Sequence, residues 1–386
     1  MTIYHKSAKA KLKLLLEGVR IDKSALDGLG SEFKEYQYGY NDSNWDSHKI
    51  GQLIPSELVL PGNLVVAPHM RPSSPYLIKK LNDRLYIINE RENEVFTDVE
   101  YLPRPQIWDI RLSDGSNIKK YLNVYGANCL NLFVVANCEF WSEGNPCAFC
   151  SLQPTQNQHH EVVVNKSLPM IEEAIEKAFA ADKSIGWMII TGGSLTNRNL
   201  EIERYIQVLS TIQKHIPASW NGKIKGNAAL LPTNSESDLE RLHSTGIEHP
   251  SFNLEVWGES RFASLCPGKA KHAPLYKLIE TYKKAVSIWG EGEVWCNFVG
   301  GITPIEKLKE GFRTMADLGV VPGANIFHLD PKAPAVKLGL KEPTEEYVME
   351  MYDCLAAIYK EYGYNPFFSH SVLRNSLSNE KYNGWL

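Results

Sequence analysis

From about residue 126 onward the chain alternates between two hydrophobic patterns. Short apolar runs rich in β-branched and aromatic residues predict strands at 132–136, 186–191, 223–228, 251–256, 294–299 and 325–329, with a possible seventh at 366–370. Between them, apolar residues at helical spacing predict helices over 168–181, 199–215, 235–244, 274–289 and 304–318, and a last one over 344–362. Ser167 and Pro169 mark the start of the first of these, with Glu172 and Glu173 in its first turn, where the helix dipole favours acids. Strands alternating with single helices imply right-handed βαβ units and a parallel sheet. The expected fold is therefore α/β, a full or partial (βα) TIM-type barrel rather than a doubly wound sheet. A barrel places its active site at the C-terminal ends of the strands.

The first 125 residues follow a different pattern. Leu12, Leu14, Leu15, Leu16 and Val19 give an apolar side to a helix within 1–30. Weak periodicity and turn pairs such as Asn41-Asp42 and Pro61-Gly62 mark 31–75. Strand-like runs follow at 84–88, 94–97 and 107–112, with a turn at 113–116. The expected organisation is an α+β extension over 1–125 packing on a barrel core over 126–343. A C-terminal helix and tail over 344–386 would close the barrel, with Ser369, His370, Ser371 and Arg374 near its mouth.

At 386 residues and 43% hydrophobic, the chain can bury a full core. A net charge of −4 gives no general attraction to nucleic acid, and the short basic run from His5 to Lys13 reads as a solvated helix face. No apolar run reaches the roughly 18 residues that cross a bilayer. Seven cysteines, an odd number in a long chain, argue against a disulfide framework. A reducing compartment, the cytoplasm, is the expectation, with neither a nucleic acid nor a membrane as partner.

The densest chemistry sits just after the first barrel strand. Cys138, Cys147 and Cys150 share one loop, with eight residues between the first two and two between the last. Three soft thiolates can hold three irons of a [4Fe–4S] cluster and leave the fourth open. The alternative is a closed zinc site that adds Cys129. The strand in between would put Cys129 about 30 Å from Cys138, too far for one ion. Asn253 and Glu255 alternate along the expected fourth strand and would point inward, costly unless they meet a ligand or each other. Gly192-Gly193 and Gly300-Gly301 follow successive strands and permit close backbone approach to a ligand, as ordinary turns also require. Asn227, Cys296, Asn297 and His328 are further inward candidates, Cys296 and His328 for catalysis, against readings as a buried hydrophobe and a core histidine. Cys266 and Cys354 fall in a loop and on a helix, so no second cluster is expected.

A three-cysteine loop after the first strand of a (βα) barrel, with Phe149 just before its last cysteine, resembles the radical S-adenosylmethionine (SAM) superfamily over about residues 127–340. Asn253-Leu254-Glu255, Cys266-Pro267-Gly268-Lys269 and Val299-Gly300-Gly301-Ile302 are most similar to the branch containing biotin synthase and the hydrogenase-maturation enzymes. The resemblance implies a [4Fe–4S] cluster on Cys138, Cys147 and Cys150, with SAM chelating the open iron. It further implies Phe149 at the adenine, Gly192, Gly193 and Ser194 at the methionine amino group, Asn253 and Glu255 at the ribose, and Gly300 and Gly301 behind the adenosine. Lys269, or Lys277, would pair with the methionine carboxylate. Reductive cleavage to a 5′-deoxyadenosyl radical and hydrogen abstraction from a small organic substrate would follow. The electron would come from a donor such as flavodoxin or ferredoxin. Two departures mark a divergent member: eight residues between the first cysteines in place of the usual three, and Ser194 in place of an acid. A non-enzymatic metal-binding scaffold, with zinc or an iron–sulfur cluster, is the competing reading.

Overall fold

The computed structural model describes residues 2–34, 54–154, 165–233 and 235–386; the expected Asn41-Asp42 turn lies outside them. The chain opens with α1 (Ile3–Glu17), capped by the Thr2 hydroxyl and ended by Gly18 at φ 71°. The helix expected within 1–30 is thus shorter, and β1 (Arg20–Ile21) follows it. Next come β2 (Leu58–Leu60), β3 (Leu64–Val66), β4 (Tyr76–Leu81), β5 (Arg84–Asn89), β6 (Glu94–Asp98) and β7 (Glu100–Tyr101). They form two small sheets, ordered β1-β4-β5-β6 and β3-β2-β7. The strand expected over 107–112 is instead a 3₁₀ turn, Gln106–Asp109. Ile107 and Trp108 of that turn are both fully buried.

The main sheet has seven strands. β8 (Leu122–Tyr125) forms an antiparallel edge on β9 (Cys129–Val135). Then β10 (Trp187–Gly192), β11 (Ile224–Ala229), β12 (Ile247–Ser251), β13 (Val294–Gly300) and β14 (Val320–Ile326) each pair in parallel with the strand before. The strands stand in chain order, β8 and β14 occupying the two edges, so the α/β fold is a partial TIM-type barrel. After β9 come α2 (Glu139–Ser142) and α3 (Leu168–Ala181), after β10 α4 (Arg198–Gln213), and after β11 α5 (Glu236–Ser244). Between β12 and β13 lie α6 (Glu259–Leu265), α7 (Pro267–His272) and α8 (Leu275–Trp289). The series ends with α9 (Ile305–Asp317) after β13, then α10 (Glu345–Tyr362) and α11 (Ser378–Tyr382).

Two strands lie upstream of their expected positions. β12 begins at Ile247, where the polar pair Glu248-His249 hides it, and it ends before Asn253. β14 begins at Val320 and carries Pro322 and Gly323, residues rare in interior strands but tolerated at an edge. Gly323 is required because a Cβ there would lie 2.5 Å from the Phe367 ring.

The possible strand at 366–370 does not form. Phe367 stacks on Trp295 at 4.3 Å, and Phe368 meets Trp295 and Trp187 edge-on. Both tryptophans lie at the beginnings of their strands, so the tail covers the N-terminal end of the barrel, not its mouth as expected. A cavity of about 770 Å³ lies at that end, walled by Trp187, Trp295, Phe368 and Tyr364. Among the described residues no helix is long and apolar enough to cross a membrane.

The N-terminal extension is tied to this tail by buried charge. Lys11 Nζ donates to Glu380 at 2.7 Å and to the Leu373 carbonyl at 2.6 Å, and neither charged side chain reaches solvent. Glu57, also fully buried, holds Lys34 at 2.5 Å and Arg374 on its other oxygen. Removing one member of such a pair leaves a buried charge without compensation. Lys11→Met should therefore lower the unfolding free energy by about 3–5 kcal/mol in urea titrations. The double variant Lys11→Met/Glu380→Leu should recover much of that loss.

Candidate active site

The cysteine loop leaves the C-terminal end of β9 and is fastened at several points. The Gly193 amide donates to the Val135 carbonyl at 2.8 Å and the Glu139 amide to the Ser194 carbonyl at 2.9 Å. The Glu139 carboxylate accepts from the amide and hydroxyl of Thr196. On the other side the Gly268 amide donates to Asn145 O (3.0 Å) and the Ala148 amide to Leu265 O (2.7 Å), while the Ala335 amide reaches back to Ala148 O (2.7 Å). The long spacing between Cys138 and Cys147 is taken up by the single turn of α2, with Gly144 at φ 74° reversing the chain. Phe140 in that turn stacks on His272 of α7 (5.2 Å, 5°), and Glu143 pairs with His272 and Lys271. The insertion is a docked element, not a free bulge.

The expected ligand-binding glycines have other partners. A Cβ on Gly193 would lie 2.7 Å from Cys138 Cβ, and one on Gly192 would press on Val135. Both are glycine because the cysteine loop crosses them. The Ser194 carbonyl is likewise taken by Glu139. Gly300 packs on Met351 of α10, and Gly301, at φ 115°, faces Pro343 at 2.8 Å from a Cβ position. Gly268, singled out for its Pro-Gly turn, meets Phe140 at 2.5 Å from a Cβ position and so admits α2.

The three thiols interact electrostatically: Cys147 with Cys138, and Cys150 with both. Burial pushes the Cys138 thiol up and the Cys150 thiol to about 12. A hydrogen bond with Cys266, followed by burial, pushes Cys147 well above the ordinary thiol range. Cys266 is thus a fourth thiol at the site, fully buried at the start of α7. Sequence reasoning set it aside in a loop, because nothing in the spacing links it to Cys147. Cys129 sits at the far end of β9 beside Lys34, outside the group.

Asn253 and Glu255 follow β12 at the mouth rather than lying within the strand. Asn253 Oδ1 accepts from Ser251 Oγ (2.5 Å) and from the Asn297 amide (3.1 Å). Glu255 adopts φ 65°, a left-handed conformation costly for a glutamate, while its backbone bridges to β13. Its carboxylate pairs with Lys269 Nζ at 2.7 Å, and the same ammonium donates to Asn253 O at 2.9 Å. Burial opposes the Lys269 charge, but Glu255 and the thiols of Cys147 and Cys266 outweigh it and hold the pKa above the usual lysine range. This is a buried cation beside the thiols, not a surface lysine.

The remaining candidates stand apart. Asn227 donates to the His249 carbonyl. Cys296 is fully buried against Tyr282, its thiol pushed to about 12 by burial. His328 stacks on His69 (3.9 Å), with Glu342 at 4.0 Å, and its Nε2 has no partner. Burial, then His69 and Arg71, hold His328 well below the ordinary imidazole pKa. Phe149 is half-buried beside Cys150, and Lys277 lies on α8.

The donor set fits a cluster better than a single ion. Among the described residues no three His, Cys, Asp or Glu side chains converge closely enough to hold one metal ion. A cube bonds each thiolate to a different iron and so takes donors spread more widely than zinc does.

No family model matches the chain. It is 23% identical over 266 residues to bacteriochlorophyllide c C-7(1)-hydroxylase of Chlorobaculum limnaeum, spanning 65% of that relative's length and 65% of its own. Among solved structures it is similar to a radical SAM methyltransferase from Sphaerobacter thermophilus (18% identity, TM-score 0.43, 64% of this chain and 69% of that one). It is also similar to the FeFe-hydrogenase maturase HydG from Carboxydothermus hydrogenoformans (14% identity, TM-score 0.42, 65% and 57%).

Two outcomes follow from the geometry. Gly193→Ala should push the loop off β10 and speed labelling of Cys138 by a thiol reagent, with helix content by circular dichroism retained. Because His328 is neutral when folded and takes up a proton near pH 6.5 when unfolded, its share of stability is full above about pH 6.5 and falls as pH drops below it. His328→Gln should flatten the dependence of denaturant stability on pH between about 7 and 5.

Proposed function

Taking the chain as a radical SAM protein, the superfamily its sequence resembles and its matches support, we propose that it is an enzyme holding a [4Fe–4S] cluster on Cys138, Cys147 and Cys150. The observation that carries this reading is the convergence of these three thiols, Cys147 buried and Cys138 and Cys150 half-buried, beside the Glu255–Lys269 pair, at the C-terminal end of a parallel sheet. A bound cluster would supply the electron for reductive cleavage of SAM, and a 5′-deoxyadenosyl radical so formed would take a hydrogen atom from a small organic substrate.

The chain's residues then have defined tasks. Cys138, Cys147 and Cys150 leave one iron free for the amino and carboxylate groups of SAM. Lys269 uses two of its three protons on Glu255 and Asn253 O, and the third is available to the SAM carboxylate. The Asn253 amide and the outer Glu255 oxygen remain free for ribose hydroxyls. Phe149, half-buried next to Cys150, offers a face to the adenine. Similarity to a hydroxylase supports a reaction at a C–H bond of the substrate. A one-electron donor of the flavodoxin or ferredoxin kind completes the cycle.

Anaerobic reconstitution tests the proposal. The wild type should bind four irons, absorb broadly in the visible, and release 5′-deoxyadenosine from SAM once reduced. Cys138→Ala, Cys147→Ala and Cys150→Ala should each lose the cluster and all SAM cleavage. A colourless wild type holding one zinc would sink the reading in favour of a structural metal site.

A further inference from the structure

Every sulfur of the three-cysteine site faces a hydrogen-bond donor. Cys138 is reached by the amides of Ser194 and Phe140. The Leu152 amide donates to Cys150 Sγ at 3.4 Å. Two further donors are side chains. The Trp141 indole nitrogen is buried, has no hydrogen-bond partner, and lies near enough to Cys150 to lower that thiol's pKa. The second is the Cys266 thiol, which pairs with Cys147 and accepts its proton while both thiols are protonated.

An indole N–H can only donate, and leaving it buried without an acceptor is unfavourable. A neutral thiol is a weak acceptor, whereas a thiolate is a strong one. Trp141 is therefore placed for a Cys150 that has lost its proton to iron. The same holds for Cys266: once Cys147 is bound to iron as thiolate, Cys266 alone of the pair retains a proton to donate. Both residues sit on elements fixed to the cysteine loop. Trp141 belongs to α2, which Phe140 and Gly268 lock against α7. Cys266 lies between Leu265, whose carbonyl holds Ala148, and Pro267, which opens α7.

We propose that Trp141 and Cys266 are positioning residues that set the reduction potential of the cluster, by donating hydrogen bonds to the sulfurs of Cys150 and Cys147. The inference rests on the functional reading above and assigns a purpose to the long Cys138–Cys147 spacing: it carries the indole donor. Hydrogen bonds to cluster sulfurs favour the more electron-rich, reduced state. Removing either one should make the cluster harder to reduce.

The test is a mediated redox titration followed by electron paramagnetic resonance, on reconstituted full-length wild type, Trp141→Phe, Cys266→Ala and Cys266→Ser. Trp141→Phe and Cys266→Ala should keep four irons but shift the reduction equilibrium about tenfold toward the oxidised cluster, or about 59 mV for one electron. Cys266→Ser, which retains a donor, should stay near the wild type. Wild-type potentials in both iron-replete variants would overturn the inference while leaving the functional reading intact. Loss of iron from Cys266→Ala and Cys266→Ser alike, with circular dichroism unchanged, would make Cys266 a ligand and equally overturn it. A wild type that assembles no cluster would overturn both.

Discussion

The site depends on the clamping of one loop between two glycines. Gly193 after β10 and Gly268 in α7 lack the Cβ that would collide with the segment from Asn137 to Asn145. That gap lets backbone hydrogen bonds form on both sides of the loop. Each such bond adds only about 1 kcal/mol, but together they hold three thiols close to one another at the mouth of the barrel. Burial and, at Cys147, the hydrogen bond with Cys266 raise the thiol pKa values, so ionising the thiols there is costly. Metal binding can repay it, because thiolates bonded to iron no longer carry free charge into a dry site.

A buried cation beside the thiols works in the same direction. Lys269 is tied to Glu255, and Glu255 is held at a left-handed backbone position by its bridge to β13. Strain of that kind, of order 1–3 kcal/mol, persists only where surroundings over-determine it. Here the surroundings are the end of β12 and the start of α7, which together set the ion pair against Cys147 and Cys266. Backbone strain, ion pair and thiol cluster form one construction at the mouth of the barrel.

The other end of the barrel is closed by different means. Phe367 and Phe368 pack on Trp295 and Trp187, and the ion pairs Lys11–Glu380 and Glu57–Arg374 join the N-terminal extension to the tail. The first and last segments of the chain therefore brace the floor of the barrel. The mouth is left to the loops, where chemistry on a (βα) scaffold resides.

The sequence by itself determined most of the periodic structure. The helices at 168–181, 235–244 and 304–318 and the parallel run of strands are legible because apolar spacing is a local property. The cysteine loop was legible too, since ligand spacing within one loop needs no long-range knowledge. Elements whose identity depends on neighbours were not legible. Pro322 and Gly323 disguise an edge strand that only its partner β13 and the Phe367 ring explain. What packs against the glycine pairs was not legible either, because a glycine's need for space does not name its neighbour: Cys138, Met351 and Pro343 lie where a Cβ would point. Cys266 and Trp141 join the site through docking of α2 on α7, across more than 120 residues of chain, and only tertiary structure brings such distant side chains together.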